Sequence, residues 1–231
     1  MENIFSRTEN LIGTENFNKL KNSSVAVFGI GGVGGYVVEA LARSGIGQID
    51  LIDNDTVSIT NINRQIIATH STIGKYKTEV MKERILDINP DITVNTYNIL
   101  YLPETAHNFN FKKYNYIVDA IDNVTGKISL VCQANDCGTP IISSMGTGFK
   151  LDPTKFEVCD IYKTSVCPLA KVMRYELKKK GIKKLKVVFS KETPIKNNNE
   201  RTPSSIAFVP SVAGLIIASE VIKDIIKEKK C

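Results

Sequence analysis

The chain has 231 residues, 42% of them hydrophobic, and a formal net charge of +6 at pH 7, which together predict one or at most two globular domains and exclude a disordered chain. Its first thirteen residues hold acidic and amide side chains where a signal peptide needs a basic start and a long apolar run, which favours a cytoplasmic protein. The most apolar late stretch, 206–222, contains Pro210 and is short for a membrane span, so we expect a buried strand followed by a core helix, and no membrane partner.

The first motif along the chain is VAVFGIGGVGGYVVEALARSG, at 25–45. An apolar run of strand type precedes the glycines, and residues with helical spacing follow them. Glycines let a backbone approach an anion closely, and the first amides of a helix offer unpaired donors, so this loop is predicted to bind a nucleotide. The predicted nucleotide-binding glycines are Gly29, Gly31, Gly32 and Gly34. The G-x-G-x-x-G pattern fits a dinucleotide, ATP or a turn without ligand.

The second predicted strand, QIDLID at 48–53, ends in Asp53. A carboxylate at this place accepts the ribose hydroxyls of a nucleotide, whether NAD or ATP. The polar segment that follows, and the first residue of the next helix, add further candidate ligands, namely Asn61, Arg64, Gln65 and Lys77. A triphosphate needs such cations because its departing pyrophosphate must be neutralised, whereas a nicotinamide cofactor does not. These residues therefore favour ATP.

Strands and helices continue to alternate up to Gly146, as in a doubly wound α/β sheet. Strand patterns recur at 92–98, 114–122 and 139–146, and helices are expected over 77–90 and from about 125 to 136. Asp122 is predicted at the carboxyl edge of the sheet, where a carboxylate beside a polyphosphate is most simply a magnesium ligand. It is also placed to cap the next helix.

Beyond Gly146 the alternation loosens. The patterns at 156–161 and 183–190 are typical of half-exposed strands, and 212–226 is predicted as a closing helix. Five cysteines form no C-x-x-C pair and two histidines do not cluster, so we expect thiols and no zinc. Cys159 is predicted to be a buried thiol.

Positive charge is concentrated at 171–191, with nine cations against one acid, a local charge of +8. Such a cluster is typical of a nucleic-acid contact, although a solvated lysine-rich helix face explains it equally well. The candidate contacts are Lys171, Arg174, Lys178, Lys179, Lys180, Lys183 and Lys184.

Four runs, GIGGVGG, LIDNDTVSITNINRQ, IGKYKTEVMKERILDINP and DAIDN, resemble the adenylation core of the ubiquitin-activating superfamily, from about Phe5 to Gly148. The resemblance implies a Rossmann-like doubly wound mixed sheet with helices on both faces, in a single ThiF-like domain. Within it, 1–148 would form the ATP-binding core, and 149–231 would complete the sheet and handle the second substrate.

The same resemblance implies a role for each candidate residue. The glycine loop and Asp53 bind adenosine, Asp122 holds Mg²⁺, and Gln65 and Asn123 also contact the nucleotide. The phosphates are held by Asn61, Arg64 and Lys77. Arg7, in the early run SRT, stands where the family brings an arginine into the neighbouring subunit's ATP site, which implies a homodimer. The implied catalytic set is Arg7, Arg64, Lys77 and Asp122.

The later run 143–194 is similar to the tRNA threonylcarbamoyladenosine dehydratases, although Cys167 stands where that branch has an aspartate. In that family ATP adenylates the free carboxylate of a modified adenosine beside the anticodon. A nitrogen of the substrate then displaces AMP and closes a hydantoin ring, so no enzyme nucleophile is needed. The resemblance implies tRNA as substrate, ATP and Mg²⁺, a monovalent cation (Na⁺ or K⁺), and a sulfur-transfer partner.

Two other functions stay open. An adenylyltransferase would activate the C-terminus of a ubiquitin-like sulfur-carrier protein, and the missing paired cysteines and the basic segment count against it. An NAD-dependent oxidoreductase could use the same glycine loop, but it would leave Arg64, Lys77 and Asp122 without a role.

Overall fold

The computed structural model of the protein describes residues 3–195 and 204–227. These residues contain seven strands, which are β1 (Ser24–Phe28), β2 (Gln48–Ile52), β3 (Thr93–Tyr97), β4 (Tyr116–Asp119), β5 (Ile141–Ser144), β6 (Phe156–Asp160) and β7 (Lys186–Ser190). They form one sheet in the order β3-β2-β1-β4-β5-β7-β6. Every neighbouring pair is parallel except β6 and β7, so the sheet is mixed.

Helices cover both faces of this sheet. Those in the described residues are α1 (Ser6–Ile12), α2 (Thr14–Lys21), α3 (Gly34–Arg43), α4 (Lys77–Ile88), α5 (Val124–Cys137), α6 (Pro168–Lys179) and α7 (Phe208–Ile226). Successive residues of a strand point to opposite faces. Accordingly Val27 joins the core made with α3, α4 and α7, whereas Phe28 joins the core made with α5. The predicted Rossmann-like α/β fold with helices on both faces is confirmed.

Local patterns predicted most elements correctly but failed at two places. The segment 206–222 holds no strand, because α7 begins at Phe208 and Pro210 lies in its first turn, where a missing N–H costs nothing. The strand within 183–190 exists as β7, but it is not half-exposed. It lies between β5 and β6, and its central residues Val187, Val188 and Phe189 are buried.

The C-terminal part of the chain is continuous with the rest of the fold. β7 follows residue 148 and pairs with β5, which precedes it, and α7 packs on α3. The functional division into 1–148 and 149–231 stays a prediction. Of the helices in the described residues, none combines the length and apolar character that a membrane span requires.

Candidate active site

The candidate site lies where the chain reverses its progress across the sheet. β1 pairs with β2 on one side and with β4 on the other. In open parallel sheets, ligands bind at such a switch point, outside the carboxyl ends of the strands. The loops that follow β1, β2 and β4 carry Gly29, Asp53 and Asp122. We call the region at the carboxyl ends of these strands the nucleotide edge. The structure thus brings together residues that are far apart in sequence.

The turn after β1 requires glycine at two positions. Gly29 has a φ of +89°, and a Cβ there would lie 2.6 Å from the backbone oxygen of Ala120. A Cβ on Gly34, the first residue of α3, would lie only 1.8 Å from the backbone oxygen of Gly29. The turn therefore packs backbone to backbone against the loop after β4, and α3 begins directly behind it. This is the geometry that a phosphate-binding helix start needs.

Asp53 is tied into the same turn. Its Oδ2 accepts a hydrogen bond from the Ile30 amide at 2.7 Å, and its Oδ1 accepts one from the Asp55 amide at 2.8 Å. Burial raises the pKa of Asp53, and the positive charge of Lys77 opposes that rise. An ionised carboxylate has about four acceptor positions, so two remain for ribose hydroxyls.

Lys77 is a buried cation at the start of α4. The residue is 5% exposed, and its Nζ lies 2.7 Å from Oδ2 of Asp55. The Asp55 side chain is 59% exposed, so the pair reaches from the protein interior to the rim of the nucleotide edge. A phosphate at the rim can take the place of this carboxylate as the partner of the ammonium group.

Asn61 and Arg64 lie on the polar segment between β2 and α4. Asn61 is buried, and its Oδ1 accepts from the Ser58 amide at 3.0 Å, which closes a short 3₁₀ turn. The Arg64 guanidinium donates to the Thr60 carbonyl at 2.8 Å and is half-buried. A Cβ on Gly32 would lie 3.6 Å from Cγ of Arg64, so the arginine stem runs beside the glycine turn.

Gln65 is the buried polar group whose hydrogen bonds are incomplete. It is 6% exposed, and its Oε1 finds no hydrogen-bond partner in residues 3–195 and 204–227. Its Nε2 would lie 3.8 Å from a Cβ on Gly31. A buried amide with a free acceptor costs about 1–3 kcal/mol, and a ligand in the glycine turn can supply the missing donor.

The sequence left open whether Asp122 binds a ligand or caps the next helix, and its neighbour Asn123 decides between these two roles. β4 ends at Asp119, three residues before Asp122, and α5 begins only at Val124. Asn123 caps α5 by accepting from the Gly126 amide at 2.9 Å, so Asp122 is not the cap. Asp122 is exposed, and its carboxylate makes no hydrogen bond or ion pair within the described part of the chain. Its carboxylate is therefore free to bind a ligand.

Sequence reasoning missed a buried ion pair beneath this loop. The Lys127 Nζ donates to Oδ1 of Asp119 and to the Ile121 carbonyl, both at 3.0 Å, and both charged side chains are fully buried. Ser143 donates to the other Asp119 oxygen at 2.5 Å. The sequence places Lys127 on the apolar face of α5 with Leu130, at i+3, but it does not identify the partner of the lysine.

Arg7 does not join the site within its own chain. It lies on α1, two residues from Phe5, whose ring would be 3.5 Å from a Cβ on Gly45. Gly45 lies between the end of α3 and the start of β2. This connection is at the amino ends of the strands, opposite to the glycine turn. Arg7 itself is exposed.

The basic segment is only partly free for a ligand. Arg174 is half-buried and donates to the Thr164 carbonyl at 3.1 Å, so it serves the fold. The other candidates are exposed; they lie on α6 and in the turn that follows it, and together we call them the α6 basic face (Lys171, Lys178, Lys179, Lys180, Lys183 and Lys184).

The cysteines differ from expectation. Cys159 is half-buried rather than buried, because β6 is an edge strand, and Cys167 is the buried thiol at 2% exposure. Across residues 3–195 and 204–227, no three His, Cys, Asp or Glu side chains come together in a group that could hold a metal ion.

Comparison with known proteins identifies the family of the chain. Residues 5–231 match the model of the ThiF family. A tRNA threonylcarbamoyladenosine dehydratase of Bacillus subtilis is 47% identical over 97% of this chain and 95% of its own length. Crystal structures of the E. coli tRNA N6-threonylcarbamoyladenosine dehydratase with AMP and with ATP superimpose with TM-scores of 0.90 and 0.89, at 34% and 35% identity. Each superposition covers 96% of this chain and 93% of the other. The chain therefore belongs to the ThiF family and, within it, to the tRNA threonylcarbamoyladenosine dehydratases.

Proposed function

We propose that the protein is an ATP-dependent dehydratase that cyclises N6-threonylcarbamoyladenosine in tRNA. The observation that carries this proposal is the convergence of the glycine turn, Asp53, Lys77 and Asp122 on one edge of the sheet, in a chain of this family. Such an edge can bind a nucleoside triphosphate beside a carboxylate and a buried cation. Adenylation of a carboxyl group requires this combination.

The reaction has two steps. A carboxylate oxygen of the threonylcarbamoyl group forms a bond to the α-phosphorus of ATP, and the bond from that phosphorus to the bridging oxygen breaks, which releases pyrophosphate. The N6 nitrogen of the adenosine then attacks the activated carbonyl carbon, AMP leaves and the nitrogen loses its proton. The product is a hydantoin ring that is lighter than the substrate by one water. The attacking nitrogen is already held on the substrate, so the second step gains from high effective concentration.

The residues of the nucleotide edge would each act on this chemistry. Asp53 would orient the ribose, and the glycine turn together with Gln65 would place the phosphates against the start of α3. Negative charge moves to the departing pyrophosphate, where Lys77 and Arg64 would neutralise it. Lys77 would exchange Asp55 for a phosphate oxygen when ATP binds.

Mg²⁺ fits the donor set at Asp122. Magnesium is ordinarily bound by one or two carboxylates together with substrate phosphates and water, and it needs no cluster of protein ligands. The exposed, unpartnered Asp122 carboxylate meets that requirement. When bound, the ion neutralises phosphate charge. The monovalent cation implied by the family resemblance has no residue assigned to it.

We propose that the active unit is a homodimer in which Arg7 completes the partner's site. The support is that Phe5, two residues before Arg7, lies beside Gly45, which precedes β2 at the opposite end of the strands from the glycine turn. Mixing Arg7→Ala protein with inactive Asp122→Asn protein should restore part of the turnover, because one site of each heterodimer has both residues. No recovery after verified subunit exchange would refute the trans arrangement.

We further propose that tRNA runs along the α6 basic face. α6 has twelve residues; a helix of that length spans roughly 18 Å. It begins beside the loop that follows β5, since a Cβ on Gly146 would lie 3.7 Å from Sγ of Cys167. RNA along α6 could therefore place its loop at the nucleotide edge and its stem phosphates at the lysines.

A cytoplasmic location and a sulfur-transfer partner are also part of the proposal, and they rest on the sequence expectations alone.

The decisive experiment incubates the protein with ATP, Mg²⁺ and tRNA that carries threonylcarbamoyladenosine. Mass spectrometry of the digested tRNA should show a nucleoside lighter by one water, and Asp122→Asn protein should produce none. Pyrophosphate release that depends on a diglycine carrier protein, and not on tRNA, would instead indicate the adenylyltransferase. Stabilisation against heat by NAD, and not by ATP with Mg²⁺, would indicate the oxidoreductase.

A further inference from the structure

The α6 helix exposes an aromatic ring among its lysines. Tyr175 is 62% exposed, more than any other aromatic side chain in residues 3–195 and 204–227, the next being Tyr76 at 47%. An exposed ring of this size gives up the stabilisation that burial of a large apolar side chain provides. Its position in the most basic part of the chain suggests that a ligand covers it.

Helix geometry places Tyr175 within the α6 basic face. Lys171 precedes it by four positions, and Lys178 and Lys179 follow it by three and four, so all three lie on the same side of the helix. The Lys179 Nζ lies 3.9 Å from the centre of the Tyr175 ring and 3.0 Å from a carboxylate oxygen of Glu176. The ring is therefore held in place by a cation–π contact, and the lysines around it are solvated.

We infer that Tyr175 is a stacking platform for an unpaired base of the tRNA anticodon loop, an inference that rests on the proposed function. Single-stranded nucleic acids are bound by a combination of cations that follow the phosphates and aromatic rings that stack on bases. The α6 basic face offers both within one helix. An acidic protein segment would use the lysines equally well, but it would bring no flat ring to stack on Tyr175.

The distance from the nucleotide edge fits a base close to the modified adenosine. Tyr175 lies seven positions after Pro168, where α6 begins. This corresponds to about 10 Å along the helix axis. A short stretch of single-stranded RNA bridges that distance, whereas the lysines at 183–184 lie beyond the far end of α6 and suit the stem.

Stacking and phosphate contacts can be separated by the salt dependence of binding. The probe is a fluorescein-labelled anticodon stem-loop RNA, titrated with the full-length protein at several salt concentrations. Tyr175→Ala should weaken binding by about 5- to 100-fold with an unchanged salt slope, because no phosphate contact is lost. Tyr175→Phe should bind like the wild type. Lys178→Ala, the matched control, should lower the slope by about 0.7–0.9 units.

A second measurement reports stacking directly. The chain contains no tryptophan, so Tyr175→Trp introduces a single indole, on α6, whose fluorescence can be excited apart from that of the tyrosines. Its fluorescence should be quenched by the stem-loop RNA, because a stacked base quenches indole. Heparin, a polyanion without bases, should bind the lysines and leave the fluorescence unquenched. Equal quenching by both polyanions, or bound RNA without quenching, would overturn the stacking role.

The outcomes also separate this inference from the proposed RNA surface. Reversal of Lys179, Lys180 and Lys183 to glutamate should weaken RNA binding strongly. If that triple variant binds normally, both the surface and the stacking role are wrong. If the triple variant fails to bind while Tyr175→Ala binds normally, the surface stands and only the stacking role is refuted.

Discussion

Apart from the exposed Asp122, the charged groups singled out at the nucleotide edge are buried or paired, whereas those of the α6 basic face extend into solvent. Lys77 is 5% exposed and bound to Asp55, and Lys127 is fully buried against Asp119. On the α6 basic face, Lys179 alone makes an ion pair within the described residues, and it is an exposed one. The first arrangement fixes charges before the ligand arrives, which suits catalysis. The second leaves charges mobile, which suits salt-dependent binding of a polyanion.

The largest effect should come from the buried ion pair. Lys127→Met should lower the free energy of unfolding by about 3–5 kcal/mol, because it leaves the Asp119 carboxylate buried without its partner. The double variant Asp119→Asn/Lys127→Met should regain most of that loss. Lys178→Met on α6 is the matched control and should change stability by less than about 0.5 kcal/mol. Urea unfolding measures all three, and equal losses in the two lysine variants would erase the contrast.

Next in size is the loss of the phosphate cations. Lys77→Ala and Arg64→Ala should each raise the adenylation barrier by about 2–4 kcal/mol, because charge on the departing pyrophosphate is no longer neutralised. Pyrophosphate exchange, a direct measure of adenylation, should fall roughly 30- to 1,000-fold. Lys75→Ala removes an exposed lysine from the same segment and should keep the wild-type rate. Wild-type exchange in either site variant would refute its role.

Much of this contrast is visible in the sequence, and some of it is not. The glycine turn, Asp53 and Lys77 were predicted because each depends on a local pattern. These patterns are a glycine-rich loop, a strand end and a helix start, respectively. The sheet order was not predicted, so β7 was expected to be half-exposed. The Asp119–Lys127 pair also escaped prediction, because a lysine in a helix pattern is ordinarily solvated and only tertiary packing shows its partner.

The basic segment shows the same limit. The total charge of the segment could be read from the sequence. Which of its cations are held by the fold and which are free could not. Arg174 and Lys186 are held by the Thr164 carbonyl and by Asp224, which approach them from elsewhere in the fold. The α6 basic face is what remains after those contacts are known.

A third prediction concerns the buried polar network around Asp50. Asp50 on β2 is fully buried; burial tends to raise its pKa, but hydrogen bonds, the largest from Tyr114 at 2.7 Å, hold the pKa below the ordinary aspartate value. A lowered pKa means that Asp50 stabilises the fold fully above the ordinary aspartate value, and that this stabilisation is lost as the pH falls through the lowered value.

Tyr114→Phe should therefore cost about 1–3 kcal/mol near neutral pH, and less in acid, where the wild type loses the same contribution. Tyr97→Phe is the control, since that hydroxyl contacts the same carboxylate at a longer 3.3 Å and should cost less. Urea unfolding at neutral and acidic pH gives both differences. A cost that does not change with pH would show that the buried carboxylate is not the source, and would weaken the contrast with the solvated lysines.

The smallest effect should come from single lysines of the basic segment, and it sharpens the contrast most. Lys183 is exposed, whereas Lys186 lies 2.6 Å from Asp224 and 3.2 Å from Glu220. Of these two, only Lys183 is free to pair with an RNA phosphate and so release the counterion condensed on that phosphate. Lys183→Ala should lower the salt slope of stem-loop binding by about 0.7–0.9 units, and Lys186→Ala should leave the slope unchanged. Stability should respond in the opposite order, because Lys186→Ala removes one ion-pair partner from each of two partly buried carboxylates. If both variants changed the slope equally, total charge rather than its arrangement along α6 and β7 would govern the binding of RNA.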